Sequence, residues 1–118
     1  FGNLVLVQGE ANRQRVNVLV DTGSSTTLAN RAFQDLLNAR ATVASFDRPV
    51  RLWTAGGSID VDAAVMAPAV KMGDVTVENV LAFVGDFHIF DFWGLQDQPT
   101  LLVGTDVIEQ LRAVAIDY

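Results

Sequence analysis

The sequence predicts a mostly β fold with one or two short helices. Short apolar segments, alternating or continuous, occupy much of the chain, which is the pattern of strands. Turns that contain glycine separate several of these segments, and only two stretches begin with a capping residue followed by a helical pattern. The chain has 118 residues, of which 50% are hydrophobic and 19% charged. We therefore expect one compact domain with its own core.

The N-terminal segments predict a β-hairpin. Residues 4–7 form an apolar run, residues 9–12 are typical of a turn, and Val16 to Val20 form the second strand. This second strand delivers Asp21 at its carboxyl end, because the glycine and serine that follow break the strand.

A short helix is predicted over residues 31–38. Asn30 is a suitable N-cap, and Phe33, Leu36 and Leu37 follow at helical spacing. We expect the apolar face of this helix to lie in the core.

The middle of the chain predicts a second hairpin. Residues 50–54 and 59–63 both alternate, and the sequence Ala-Gly-Gly-Ser over residues 55–58 joins them. Because Asp60 and Asp62 are two positions apart on one strand, we expect both carboxylates to face water on the same side.

Further strands are predicted over residues 65–72 and 75–84, with Gly73 and Asp74 as the turn between them. Pro68 places the first of these strands towards an edge of the sheet. Residues 85–100 contain several aromatic side chains without a clear period, so we expect an irregular segment there, with its aromatic residues mainly in or capping the core.

The C-terminal segment predicts a strand, a helix and a final strand. Leu101 to Gly104 is a short buried strand, and Thr105 is the cap of a helix that runs through Leu111. Asp106 lies in the first turn, where a negative charge is favourable. Residues 113–116 are expected to form a closing strand.

Composition excludes several classes of function. The formal net charge is −6, from 14 acidic and 8 basic residues, and such a surface repels nucleic acid. The chain has no cysteine, and His88 is its only histidine, so we expect neither a thiol nucleophile nor a metal site, and no cofactor. No apolar run is long enough to span a membrane.

The segment Asp21-Thr22-Gly23-Ser24-Ser25 follows an apolar strand, and in this it resembles the signature of the aspartic proteases. The glycine-tipped hairpin and the late sequence Leu-Leu-Val-Gly-Thr-Asp over residues 101–106 are similar to the retroviral-type, retropepsin-like branch, including its cellular and bacterial members. The resemblance extends along nearly the whole chain. It implies that residues 1–118 form one acid-protease lobe, a closed β-barrel with one or two short helices.

The resemblance also implies roles for the motif residues. Asp21 is expected to be one of two carboxylates that share a proton and activate water for peptide-bond hydrolysis. Thr22 would hydrogen-bond to the partner lobe, and Gly23 lets the backbone pass close to the carboxylates. We expect the Ser24 hydroxyl to donate to Asp21, and Gly104 to support the site.

The central hairpin resembles the flap that closes over bound peptide in this family. It is expected to supply the substrate-binding residues Trp53, Thr54, Ala55, Gly56, Gly57 and Ser58. Thr105 stands where many viral members have an arginine that braces the dimer, so the viral dimer contacts do not transfer directly.

One chain supplies one such aspartate, whereas the mechanism needs two. We expect a homodimer or a second lobe elsewhere in a longer protein, acting on a peptide or protein substrate. The sequence begins with Phe1 and not with methionine, so we expect a domain excised from a longer chain. An upstream signal or anchor would place it in the cell envelope or periplasm.

Two alternatives accompany this interpretation. In the first, the domain is a catalytically silent dimerisation or peptide-binding module. In the second, residues 21–25 are the phosphate loop of a fragment of an actin-like ATPase or sugar kinase.

Overall fold

The computed structural model describes residues 4–37, 41–54 and 57–116 of the chain. Most of these residues lie in strands, which confirms the mostly β prediction. Along the described chain the elements are β1 Leu4–Ala11, β2 Gln14–Asp21, β3 Leu28–Ala29, α1 Arg31–Leu36, β4 Thr42–Thr54, β5 Gly57–Met72, β6 Val75–Val84, α2 His88–Phe92, β7 Thr100–Val103 and α3 Thr105–Ile116. None of the helices in these ranges is long and apolar enough to cross a membrane.

The strands form one sheet that returns to its starting strand. Their order is β1-β2-β7-β3-β6-β5-β4, and β1 also pairs with β5. This additional pairing joins six strands into a ring, while β4 is attached to the outside of the ring through β5. A ring of paired strands has few open edges, which protects it from pairing with other chains.

Strand β7 lies between β2 and β3 in the ring. Its pairing with β2 determines how the segment 101–106 lies relative to the motif at residues 21–25. It runs parallel to β2, with Leu19 opposite Leu102, and antiparallel to β3. Because parallel strands end on the same side of a sheet, Asp21 at the end of β2 and Gly104 just after β7 come together.

Two apolar clusters cover the two faces of β2. Val16 and Val18 contribute to the larger cluster, and Leu19 points to the smaller one because side chains alternate along a strand. Other members of the larger cluster are Phe33, Val65, Val70, Leu101, Val103 and Val107. Other members of the smaller cluster are Leu28, Val61, Phe87, Phe90, Leu95 and Leu102.

The first hairpin is confirmed, but its turn lies later than predicted. Asn12 and Arg13 form the turn and have φ angles of 51° and 65°, as a tight hairpin requires. Gly9 lies inside β1, where a Cβ atom would be 2.7 Å from the Lys71 carbonyl oxygen. This glycine therefore serves a close approach between β1 and β5 rather than a turn.

Helix α1 is confirmed with its predicted cap. The Asn30 side chain accepts a hydrogen bond from the Phe33 N–H at 2.9 Å, and the helix ends at Leu36. Residue 38, the predicted end, lies outside the described residues.

The central hairpin is also confirmed, and its second arm is longer than expected. Strand β5 continues from Gly57 to Met72 without a break, so two predicted strands are one. In the described chain β4 pairs with β5 up to Val65, and β1 pairs with it from Val70. Pro68 lies between these two points at a local edge, as its missing N–H requires.

Two predictions for the C-terminal third are wrong. The segment 85–100 contains the short helix α2, whose Phe90 is fully buried. Residues 113–116 belong to α3 instead of a closing strand. They are apolar without alternation, so their pattern suits a helix equally well, and neither glycine nor proline interrupts the helix after Thr105.

Candidate active site

Asp21 ends β2 and lies opposite Leu4 of β1. Its carboxylate oxygen Oδ1 accepts a hydrogen bond from the Gly23 N–H at 2.9 Å, and its carbonyl oxygen accepts one from the Ser24 N–H at 3.3 Å. Since Asp21 is two residues after Leu19, it lies on the face of β2 that carries the smaller cluster. The carboxylate is partly buried and held by a tight turn.

Gly23 allows this turn to approach the carboxylate. A Cβ atom at this position would lie 3.3 Å from Asp21 Oδ1, closer than side chains normally approach. The neighbouring Thr22 is exposed. The end of β2 therefore presents a carboxylate beside a solvent-accessible backbone turn.

The expected hydrogen bond between Ser24 and the Asp21 carboxylate is not formed, so that prediction is wrong. The Ser24 hydroxyl donates to the Thr26 carbonyl oxygen at 2.8 Å and accepts from the Thr26 N–H at 3.3 Å. Serine hydroxyls compete for nearby backbone groups, and the turn after Gly23 places those of Thr26 within reach.

Gly104 lies directly against the loop that follows the aspartate. A Cβ atom on Gly104 would be 2.7 Å from the Thr26 carbonyl oxygen and 2.9 Å from that of Ser24. The next residue, Thr105, donates its N–H to the Ser24 carbonyl oxygen at 2.7 Å. Only glycine permits the link between β7 and α3 to cross the loop at this distance.

Sequence reasoning missed Thr27, a fully buried residue beside this crossing. Its hydroxyl accepts from the Gly104 N–H at 3.2 Å and donates to Asp106 Oδ1 at 2.7 Å. The sequence predicts Asp106 as an acidic residue in the first turn of a helix and as the end of the segment 101–106, but it predicts no contact with Thr27. No local pattern indicates a contact between residues so far apart in sequence.

Asn30 is more than the predicted helix cap. Its side-chain oxygen also accepts from the Thr100 N–H at 3.1 Å. Its side-chain nitrogen donates to the carbonyl oxygens of Leu95 at 3.0 Å and Gln98 at 2.7 Å. One buried amide thus joins the start of α1 to the segment that leads into β7.

The central hairpin extends from the same face of the molecule. Leu52, Ile59 and Val61 of its lower part pack in or against the smaller cluster. Trp53 lies opposite Ser58 near the tip and is 79% exposed. Of the other predicted flap residues, Thr54 pairs with Gly57, whereas Ala55 and Gly56 lie outside the described residues.

Arginine side chains pair with the two aspartates that were predicted to face water. Arg31 contacts Asp62 and also donates from Nε to Asp86 Oδ1 at 3.3 Å, while Arg51 donates to Asp60 at 3.4 Å. The hydrogen bond to Asp86, followed by the nearby carboxylate charges, raises the pKa of Arg31. Because folding raises the pKa of Arg31, the charged guanidinium stabilises the folded state at pH values below the ordinary arginine pKa, and this stabilisation is lost only in strong alkali. Such exposed pairs contribute little.

A cavity of about 780 Å³ lies at the opposite end of the first hairpin. Asn12, Arg13, Met66, Pro68 and Lys71 are among its lining residues. Glu10 of β1 also lines the cavity. Asp21 pairs with Leu4, which is six positions from Glu10 along the same strand, so roughly 20 Å of strand separates the cavity from the carboxylate. In the described part of the chain, no three His, Cys, Asp or Glu side chains form a metal-binding group.

Comparisons with known proteins agree with this geometry. The family model described as aspartyl protease matches residues 7–107. A search of curated proteins gave no match. Solved structures similar to this chain include the EIAV protease complexed with an inhibitor, with a TM-score of 0.59, 17% identity, and coverage of 94% of this chain and 90% of that one.

A retropepsin-like aspartic protease from Rickettsia conorii is similar as well. Its TM-score is 0.54 at 17% identity, and the match covers 92% of this chain and 71% of that one. At this level of identity the likenesses show the fold, which is that of the retropepsins.

Proposed function

The chain belongs to the aspartyl protease family, and from this premise we propose that it is one lobe of an aspartic endopeptidase with Asp21 as its catalytic carboxylate. The observation that supports the proposal most directly is the turn at the end of β2. There a partly buried carboxylate is oriented by the Gly23 N–H and lies beside exposed backbone. The retropepsin fold supports the same proposal.

The proposed reaction uses two aspartates that share one proton, because two adjacent carboxylates cannot both ionise cheaply. Aspartic proteases are the standard example of this coupling. The ionised carboxylate removes a proton from water, which attacks the peptide carbonyl carbon, while the protonated carboxyl group polarises the carbonyl oxygen. When the resulting intermediate collapses, the peptide nitrogen receives a proton and leaves as an amine.

We propose that the second aspartate is the Asp21 of another copy of the chain. In a twofold dimer, a residue that lies near the axis meets the same residue of the other copy. Thr22 and Gly23 are exposed next to Asp21, so this turn is available for such an interface. Thr22 would then hydrogen-bond to the other lobe. The substrate cleft would form between the lobes.

The central hairpin is proposed to act as a flap over a bound peptide. Its lower part packs on the face that carries Asp21, whereas Trp53 is largely exposed near the tip. A large apolar side chain in that position would gain contact area when the hairpin closes over a peptide and excludes water.

The phosphate-loop alternative is not retained, because the aspartyl protease family model matches residues 7–107 and the fold is that of the retropepsins. The catalytically silent module remains an outcome of the following experiment.

The test is the substitution Asp21→Asn in an assay with a diverse peptide library. We expect cleavage to be abolished because the amide cannot accept the proton of the attacking water. The circular dichroism spectrum and the association state should be unchanged. An inhibitor with a statine-type central hydroxyl should bind the wild-type protein.

Retained cleavage by the Asn variant would show that Asp21 is not the catalytic group. A wild-type protein that dimerises and binds peptides, yet cleaves none of them, would favour the silent module.

A further inference from the structure

The hydroxyl of Thr27 has a defined direction. It is fully buried, and it accepts a hydrogen bond from the Gly104 N–H at 3.2 Å. A hydroxyl has a single proton to donate, and that of Thr27 points to Asp106 Oδ1, 2.7 Å away. The pair therefore links the residue that precedes β3 to the first turn of α3.

Asp106 is itself held in place. The same oxygen accepts the Val107 N–H at 2.9 Å, and the side chain lies in the first turn of the helix. An acidic side chain suits the first turn of a helix, where the backbone N–H groups carry a partial positive charge. A hydrogen bond from a hydroxyl to a carboxylate is shorter and stronger than one between neutral groups.

The loop after the catalytic turn is thus attached to the N-terminus of α3 at both ends. The Thr105 N–H donates to the Ser24 carbonyl oxygen at 2.7 Å, and Asp106 holds Thr27. Between them, the Thr26 carbonyl oxygen lies against Gly104. This loop follows immediately after Asp21, Thr22 and Gly23.

We propose that Asp106 is a positioning residue for the catalytic turn, acting through the hydroxyl of Thr27. The proposal rests on the proposed function, because it assigns Asp106 to the geometry of Asp21. Displacements of about 1 Å at a reacting group can reduce rates by a factor on the order of 100. The link matters for catalysis because the two aspartates must meet in a fixed arrangement.

The principal test replaces Asp106 by alanine. We expect kcat to fall about tenfold with KM changed by less than twofold, since substrate contacts stay in place and only the alignment of the turn is lost. Asp106→Asn keeps an oxygen acceptor for Thr27 and should retain kcat within about threefold. Asp74→Ala, in the exposed turn between β5 and β6, is the control and should leave both constants unchanged.

A second pair of variants tests the route of the effect. Thr27→Val should lower kcat as Asp106→Ala does, and Thr27→Ser should restore it because the hydroxyl returns. The double variant of Thr27→Val and Asp106→Ala should be no slower than either single variant. If the two effects multiply instead, Asp106 does not act through Thr27 and the proposal is wrong.

Amide hydrogen exchange provides a readout that needs no substrate. In Asp106→Ala we expect the amide protons of Gly104 and Thr105 to exchange at least about tenfold faster than in the wild type, because the crossing opens locally. Unchanged exchange together with an unchanged kcat, measured well below the melting temperature, overturns the proposal even if that temperature falls. A wild-type protein that cleaves no peptide overturns the proposed function, and the exchange result alone then decides whether Asp106 holds the loop.

Discussion

Asn30 shows how one buried side chain can organise the surroundings of a site. Its amide caps α1 through Phe33 and also binds the backbone of Leu95, Gln98 and Thr100. These contacts fix the path of the chain into β7, which lies next to Asp21 in the ring. Local sequence predicts the cap because that bond spans three residues, but not the bond to Thr100, which spans 70.

We predict that Asn30→Ala lowers the free energy of unfolding by roughly 3 kcal/mol or more. The variant loses a helix cap and removes the acceptor of two buried N–H groups, those of Phe33 and Thr100. Urea denaturation measures the change. The matched control is Asn79→Gly, an exposed asparagine with a φ of 54°, whose replacement should shift stability by less than about 1 kcal/mol.

At Gly104 the absence of a Cβ atom determines the local geometry. We predict that Gly104→Ala destabilises the fold by about 1–3 kcal/mol or more, because the new Cβ would lie 2.7 Å from the Thr26 carbonyl oxygen. The loop after Asp21 would have to move, so cleavage should fall as well. Thermal unfolding and the peptide assay measure the two effects.

Gly73→Ala separates this steric effect from backbone strain. Gly73 has a φ of 61° and open space around it, so its replacement should cost only about 1 kcal/mol and leave cleavage intact. An equal effect of the two substitutions on cleavage would contradict the steric explanation for Gly104.

Helix α2 lies within residues 85–100, a segment that the sequence predicts to be irregular. Phe87 and Phe90 are buried in the smaller cluster, with ring centroids 5.9 Å apart, whereas Phe92 is 71% exposed. The aromatic residues thus divide into a core part and a surface part. The expected core role is confirmed for the first two, and the helix itself was missed because its five residues are too short to show a period.

We predict a large difference between two truncations on this helix. Phe90→Ala removes a fully buried ring and should cost about 3–5 kcal/mol. Phe92→Ala, two residues later, should cost less than about 1 kcal/mol because the ring is mostly in water. Guanidinium denaturation of both variants tests the assignment, and similar losses would show that α2 does not cover the smaller cluster as described.

The whole molecule presents half of the proposed catalyst. The six-strand ring places Asp21 at its surface next to exposed residues, and the cavity of about 780 Å³ lies at the far end of the first hairpin. The proposed mechanism needs a second aspartate, and whether another copy of the chain supplies it determines how activity depends on protein concentration.

We predict that the specific activity rises with protein concentration, since a homodimer dissociates on dilution. Refolding the wild type together with a tenfold excess of Asp21→Asn should reduce the activity per wild-type chain about tenfold, because nearly every wild-type chain then has an inactive partner. The molar mass from sedimentation is measured in parallel. If the activity changes neither on dilution nor with the excess variant, the second carboxylate does not come from another copy of the chain and the homodimer proposal is wrong.

The sequence by itself determined the features that depend on neighbouring residues. The strand before Asp21, the turn at Gly23, the cap at Asn30 and the central hairpin all follow from residues a few positions apart, because strand, turn and cap geometry are local. Only the tertiary structure decided which distant segments meet. The bond from Thr27 to Asp106 spans 79 residues, and the ring closes through β1 and β5. Such contacts depend on how the packed elements bring buried polar groups together, and each buried group then requires a partner.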